Sequence, residues 1–421
     1  MNLYPLFERS LGVCTDSRTL KAGQLFFALK GENFNGDDFA AKALEDGAIA
    51  AVVSEECPGD DPRLVRVPDT LEALRELAAF HRRALGVPVI GLTGTNGKTT
   101  TKELIREVLS RKFRVTATEG NLNNDIGVPL SVLKMNADTQ IAIIEMGASH
   151  PEDLRPLLAV SQPDFGLITN VGRAHLEGFG SYEGVKHAKG LLYDWLKEHS
   201  GTVFANASDP VLLEMLEARG LEFIPYDPSS AKILTPSAQH PYLRMEIEGK
   251  LLETKLVGSY NAANVMAAVC IGKHFGVALD DALEAISAYT PANKRSQLEL
   301  TGKNCVIVDA YNANPSSMAV ALQNLKMSEG PKAALLGEMR ELGADSEAEH
   351  RRLVRSLEGL DKVFLVGEEF RKAVAAEKAG FPCFDSSDQL AAQLREKPIE
   401  GYTILVKGSR GTRMEKVLDT L

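Results

Sequence analysis

The sequence predicts an α/β protein in three parts: a small N-terminal α/β domain over residues 1–85, a central domain over 86–298 on a mostly parallel sheet, and a doubly wound, Rossmann-like domain over 299–421. Three observations carry this. At roughly 100–200 residues per domain, 421 residues are too many for one ordinary core. Apolar strand-like runs alternate with helical stretches in two separate series, the pattern of sheets covered on both faces. A glycine-rich turn, "TGTNGKTTTKE" at 93–103, joins a strand to a helix at the head of the first series.

The elements follow in order. Residues 1–85 hold a turn-rich start, a short apolar strand at 25–29, a helix near 37–46 and a strand at 48–53. A second helix is expected at about 70–84, where Leu71, Leu74, Leu77 and Ala78 recur at helical spacing. "LGVPV", with Gly86 and Pro88, reads as a linker. From residue 88, "VPVIGLT", "QIAIIEM", "DFGLITNV" and "TVFANASD" alternate with helices, and the series closes with a helix at about 260–275. After "ELTGKN" a new series begins: "CVIVDAY", "KAALLGEM", "KVFLVG" and "YTILVKGS", each but the last followed by a helix.

Composition narrows the function classes. A hydrophobic content of 44%, a charged content of 25% and no apolar run near 18 residues suit a soluble enzyme without membrane insertion. The opening "MNLYPLFERSLG" has neither a basic leader nor a sustained apolar segment, which predicts a cytoplasmic protein. The five cysteines (Cys14, Cys57, Cys270, Cys305 and Cys383) are scattered, with no C-x-x-C pair, against a disulfide framework or a zinc site. A formal net charge of −10 argues against a nucleic-acid partner but leaves room for an anionic small substrate held by local Arg and Lys. A monomer is expected.

The loop at Gly94, Thr95, Asn96, Gly97, Lys98, Thr99 and Thr100 is a phosphate cradle by its chemistry. Glycines let backbone N–H groups approach phosphate oxygens, the helix N-terminus favours anions, the lysine reaches terminal phosphates and a threonine hydroxyl can ligate Mg²⁺. Its G-x-x-G-K-T spacing is shorter than the usual phosphate-loop pattern. Gripping a phosphate does not by itself choose between a motor, a switch and a ligase. Glu145 ends the strand "IAIIE" at the sheet edge where ligands bind; it is either a metal-holding carboxylate or an ordinary loop acid. His175, in "NVGRAHLEG", lies just past the next strand and becomes a metal-ligand candidate beside Glu145. Lys189, in "HAKGLLYDWL", reads by pattern as a snorkelling surface lysine; the alternative is a desolvated amine that reacts with carbon dioxide to form a metal-ligating carbamate.

The set "TGTNGKTTTKE", "EMGAS", "NVGRAHLEGFGS", "HAKG" and "YNAANVMAA" resembles the Mur ligases, which share an ATP-dependent amide-forming reaction and three domains with folylpolyglutamate synthases. Within that family "TDSR", "GNLNNDIGVPLSVL" and "DAYNANPSSM" resemble the members that add D-alanyl-D-alanine to a UDP-N-acetylmuramoyl-tripeptide. The "DNPR" string of the diaminopimelate-adding branch is absent. The resemblance implies ATP as cofactor, two Mg²⁺ ions and carboxylate activation as an acyl phosphate. It implies that Lys98 contacts the β- and γ-phosphates and that Thr99 and Glu145 hold the first Mg²⁺. His175 and a carbamylated Lys189 would hold the second. Asn261 and Asn264, three apart on one helix face, would meet adenine, with Arg295 near ATP, although Lys294 stands where the family pattern has glycine. The third domain would take the dipeptide on two loops: Asp309, Tyr311, Asn312 and Asn314, and Lys407, Ser409 and Arg410. Asp309 is also expected near the nucleotide. Ser17 and Arg18 would bind the UDP part, with Asp38 where the family pattern has histidine. Asn123 and Asn124 are expected to face the sugar phosphate or the peptide.

Overall fold

The computed structural model describes residues 3–31, 33–235, 237, 240–291 and 297–421. The first sheet is parallel, ordered Val13–Cys14, Leu25–Phe27, Ala50–Ser54 and Leu64–Val67. The helix Thr70–Leu85 starts where the Asp69 carboxylate accepts from the backbone N–H groups of Leu71 and Glu72, and it stops at Gly86, whose φ of 61° is left-handed. Such an N-cap stabilises by about 1 kcal/mol. This helix ends the first segment in sequence but packs against the central domain. The buried Arg82 donates to the carbonyls of Ser161 (3.1 Å) and Gln162 (3.0 Å) and pairs with Asp164 at 2.7 Å, while His81 Nε2 donates to the Met135 carbonyl at 2.8 Å.

The central sheet has six parallel strands in the order Ile224–Tyr226, Thr202–Asn206, Phe165–Ile168, Val89–Thr93, Ile141–Glu145 and Val115–Ala117. Val89–Thr93 and Ile141–Glu145 are buried throughout, which is why they read as continuous apolar runs rather than alternations. Ile90, Leu92, Ile141 and Ile143 pack on one face against Leu104, Ile105 and Val108 of the helix Lys98–Leu109 and Ile271 of the helix Asn261–His274. Val89, Ala142 and Ile144 pack on the other against Val128, Leu157 and Leu191. Burying each such side chain contributes about 1.5–3 kcal/mol before entropy is subtracted. Four of the six strands are the expected runs, and the two at the sheet's edges, Val115–Ala117 and Ile224–Tyr226, are additional to them.

Lys232–Leu234, Arg244–Ile247 and Lys250–Glu253 form a small antiparallel sheet that the alternating α/β reading did not anticipate. Its hairpin turns at Glu248 and Gly249, both at positive φ, the two-residue geometry that matches strand twist. The third sheet is ordered Gln297–Leu300, Cys305–Asp309, Thr403–Lys407, Lys332–Gly337, Lys362–Val366 and Cys383–Phe384. Its first strand is antiparallel and the others parallel. That antiparallel strand begins at Gln297 and so crosses the expected edge at 298/299. All five cysteines are unpaired, Cys14 and Cys57 buried and the others half-buried. Among the described residues no helix is long and apolar enough to cross a membrane.

Candidate active site

The strand Val89–Thr93 sits at the middle of the central sheet, and three loops leave the carboxyl ends of adjacent strands there: 94–97, 146–149 and 169–175. That edge faces the loops leaving Cys305–Asp309 and Thr403–Lys407 of the third sheet. Between them lies a cavity of about 1010 Å³, lined on one side by Lys98, Glu145 and His175 and on the other by Asp309, Asn314 and Lys407. Tyr311, Asn312 and the loop residues Thr95, Asn96 and Thr100 line it as well.

The phosphate loop is held from below. Gly94 has φ +142°, and a Cβ there would collide with the Thr169 hydroxyl. Gly97 has φ +79°, and its Cβ would lie 2.8 Å from Asn264 Oδ1. The Asn96 N–H donates to Asn170 Oδ1 (3.1 Å), and its carbonyl accepts from Thr169 Oγ1 (2.7 Å) and Asn170 Nδ2 (3.0 Å). Lys98 Nζ folds over the loop, donating to the carbonyls of Gly94 (2.8 Å) and Thr95 (3.2 Å).

Glu145 is 1% exposed at the end of its strand. Its Oε1 accepts from Asn123 Nδ2 (2.8 Å) and Thr99 Oγ1 (3.2 Å), while its buried Oε2 has no hydrogen-bond partner. An orphaned buried carboxylate oxygen is costly unless something cationic meets it. No trio of His, Cys, Asp and Glu among the described residues is placed to hold a metal alone. Mg²⁺ does not require one, since it usually takes one or two carboxylates together with substrate phosphates and water. The donor set of Thr99, Glu145 and a phosphate cradle fits that ion. Asn123 is therefore tied to the carboxylate of this site, while Asn124 lines the cavity and accepts the Gly127 N–H at 2.8 Å.

Lys189 is not a snorkelling surface residue. It is 3% exposed, because its helix Tyr182–Glu198 turns this face inward among Ala188, Leu192 and Tyr193. Nζ donates weakly to the Ala148 carbonyl at 3.4 Å and lies 5.4 Å from the Phe179 ring centre. Burial first, and then the Lys98 charge, hold its amine well below the usual lysine range. His175 stands at the mouth, with burial, Lys98 and Lys189 lowering its pKa and Glu341 opposing them.

The asparagines 261 and 264 are buried at the cavity wall and bonded in series. Asn261 Nδ2 donates to the Val257 carbonyl (2.8 Å), Asn264 Nδ2 to Asn261 Oδ1 (2.8 Å), and Thr101 Oγ1 to Asn264 Oδ1 (2.9 Å). On the third sheet, Lys407 Nζ pairs with Asp309 at 2.5 Å and donates to the Asn312 carbonyl at 3.0 Å. Asn314 caps the helix Pro315–Met327 and also reaches the phosphate loop, donating from Nδ2 to Asn96 Oδ1 at 2.9 Å. Ser409 is buried, its Oγ accepting the Arg340 N–H at 2.9 Å, and Arg410 lies over the Tyr311 ring at 5.8 Å. Ser17 and Arg18 lie away from this cavity, Arg18 exposed and paired with Asp16 at 2.7 Å. Arg295 lies outside the described residues. Sequence reasoning missed Asn170, Ser316 and Glu341. Asn170, in "ITNV", carried the same sheet-edge signal as His175, and Ser316 lies inside the quoted "DAYNANPSSM"; Glu341 sits in a string typical of polar loops.

Comparison with known proteins agrees with this architecture. Family models match in chain order: "Mur ligase family, catalytic domain" over 11–82, "Mur ligase middle domain" over 92–272 and "Mur ligase, glutamate ligase domain" over 294–410. A UDP-N-acetylmuramoyl-tripeptide–D-alanyl-D-alanine ligase of Bacillus subtilis is 35% identical, over 99% of this chain and 94% of its own. The chain belongs to the Mur ligase family. This Mur ligase also resembles the solved MurF of Acinetobacter baumannii, with 31% identity, TM-score 0.85, and 97% and 92% of the two chains covered. The MurF ligase of Thermotoga maritima, solved in complex with ADP, gives 28% identity, TM-score 0.85, and 99% and 97% coverage.

Proposed function

We propose that this Mur ligase uses ATP to join D-alanyl-D-alanine to the terminal carboxylate of a UDP-N-acetylmuramoyl-tripeptide, in the cytoplasm. The observation that carries the reading is a cavity in which the phosphate loop and the orphaned Glu145 oxygen face the loops of the third sheet. Full-length similarity to ligases of that name supports the choice of substrates.

A carboxylate is a poor electrophile because its charge is delocalised, so amide formation needs it activated. Transfer of the γ-phosphoryl group to it gives an acyl phosphate and ADP; the dipeptide amine attacks the acyl carbon, phosphate leaves and the amine loses a proton. Little covalent chemistry falls to the protein, and positioning and charge neutralisation are its share. The 94–100 loop would hold the β- and γ-phosphates through backbone N–H groups, with Lys98 turning from the carbonyls of Gly94 and Thr95 to the terminal phosphate. Asn261, Asn264 and Arg295 would stand at the adenine end. Thr99 and Glu145 would hold one Mg²⁺, and His175 with Lys189 a second. These ions supply Lewis-acid neutralisation of the phosphoryl and carboxylate oxygens. The depressed amine of Lys189 supports carbamylation: neutral amine and carbon dioxide combine with loss of one proton, turning a buried base into a carboxylate-like ligand. The first segment, 1–85, would take the UDP moiety with Ser17 and Arg18, and 299–421 the dipeptide with Tyr311, Asn312 and Lys407.

The test is phosphate release from ATP and Mg²⁺ with the UDP-tripeptide and the dipeptide added singly and together. Release that needs both, with a UDP-pentapeptide mass, is expected. Release indifferent to both would return the phosphate loop to a motor or switch.

A further inference from the structure

We infer that Glu341, carried by the third sheet, is a positioning residue that orients the His175 imidazole, so that the histidine of the central domain is set only while the third sheet is docked. Its meaning for catalysis rests on the reading above; its geometry does not. His175 Nδ1 and the Glu341 carboxylate are in direct contact across the cleft. The same glutamate is tied a second time, its backbone carbonyl accepting the Glu177 N–H at 3.2 Å. Gly343 packs against Glu177 so closely that an added Cβ would lie 3.2 Å from the Glu177 Cβ.

Both partners stand in the left-handed region without being glycine: His175 at φ 51° and Glu341 at φ 62°. Left-handed backbone is strained for such residues, and they persist where their surroundings over-determine them. The loop carrying Glu341 is fixed from behind: the Met339 N–H donates to His350 Nε2 (3.0 Å), the Arg340 N–H to Ser409 Oγ (2.9 Å), and Leu342 is buried. The segment carrying His175 is gripped nearby by the third sheet's helices, the Arg173 N–H donating to Ser316 Oγ (2.9 Å) and its guanidinium pairing with the buried Glu349 at 3.0 Å.

The pair is too exposed to matter much for stability. The Glu341 side chain is 60% exposed, and water screens pairs of that kind. Its effect is on orientation and tautomer. A carboxylate beside Nδ1 favours the tautomer protonated there and so leaves the Nε2 lone pair bare, the arrangement by which a metal-ligating histidine is aimed, and here the carboxylate comes from another domain.

Full-length protein labelled with ¹⁵N-histidine, with the His175 signals identified by their loss in His175→Gln, reads the tautomer directly. The Nδ1–H form is expected in the parent and in Glu341→Gln, whose amide oxygen still accepts, and a mixed population in Glu341→Ala. Mn²⁺ titration followed by electron spin resonance with a non-hydrolysable ATP analogue should show Glu341→Ala weakening one site about 10-fold or more. The KM for the dipeptide should change by less than about 2-fold while kcat falls with metal affinity. An unchanged tautomer in Glu341→Ala would overturn the inference, as would unchanged Mn²⁺ binding with a raised dipeptide KM, which would place Glu341 on the amine. The tautomer measurement needs no substrate, so it stands even if the phosphate-release test fails.

Discussion

Replacing Asp309 by alanine strands a buried ammonium. Lys407 is 2% exposed and Asp309 18%; they are register partners on neighbouring parallel strands, with Nζ 2.5 Å from Oδ2. Lys407 keeps only the Asn312 carbonyl at 3.0 Å when the carboxylate is gone. Breaking a buried pair from one side costs about 3–5 kcal/mol, and the lower end applies because Asp309 is near the surface. For a unit of roughly 100 residues, about 3 kcal/mol lowers the melting temperature by roughly 10–20 °C. Removing both charges, in Asp309→Ala with Lys407→Met, should recover a large part of that loss, since no ion is then left buried. Calorimetry on the two single variants and the double variant closes the cycle, with the transition of the third domain followed separately because a multidomain chain need not unfold in one step. A loss below about 1 kcal/mol in Asp309→Ala, or additive effects in the double variant, would refute the argument. If the melting temperature held while the KM for ATP rose, Asp309 would be a nucleotide contact, as its place in the sequence first suggested.

Further outcomes follow from other parts of the site. Gly94→Ala should abolish ATP-analogue binding in isothermal titration, because its Cβ meets the Thr169 hydroxyl at a φ that L-residues avoid. Glu145→Gln should remove most phosphate release while leaving the ligand-free melting temperature equal or higher, since it discharges a carboxylate whose Oε2 is buried without a partner. Burial lowers the pKa of both His81 and His350. The unfolded chain therefore takes up protons near pH ~6.5 before the folded one, so stability is full above that pH and falls as pH drops through it. Melting temperatures at pH 7.5 and 5.5 should show this decline, and His350→Gln should flatten it; a melting temperature that rises on acidification would contradict the sign. Small-angle scattering tests domain motion: a smaller radius of gyration with ATP analogue and tripeptide indicates closure of the third domain, and no change counts against it.

Much of this protein is written locally. The phosphate loop needs glycines at two positive-φ positions, a lysine and a threonine at a helix start, and all of these are adjacent in the chain. The buried strands Val89–Thr93 and Ile141–Glu145 declare themselves as apolar runs, and their ends place Glu145 at the ligand edge by topology alone. The Gln297–Leu300 strand and the small antiparallel sheet were harder, because short alternating segments carry little signal against a dominant α/β series.

What tertiary structure decided is which polar groups lose water and which find a partner far away in sequence. Lys189 has the composition of a surface helix residue, and only the packing of its helix against the loop at Ala148 removes its solvent. The bond from Asn314 to Asn96 spans 218 residues, and the Glu341 contact with His175 joins two loops that no local spacing relates. Desolvation and cross-domain charge contacts depend on the summed positions of many elements. Helix starts, turns and strand periodicity depend on a few neighbours, and the sequence by itself could determine those.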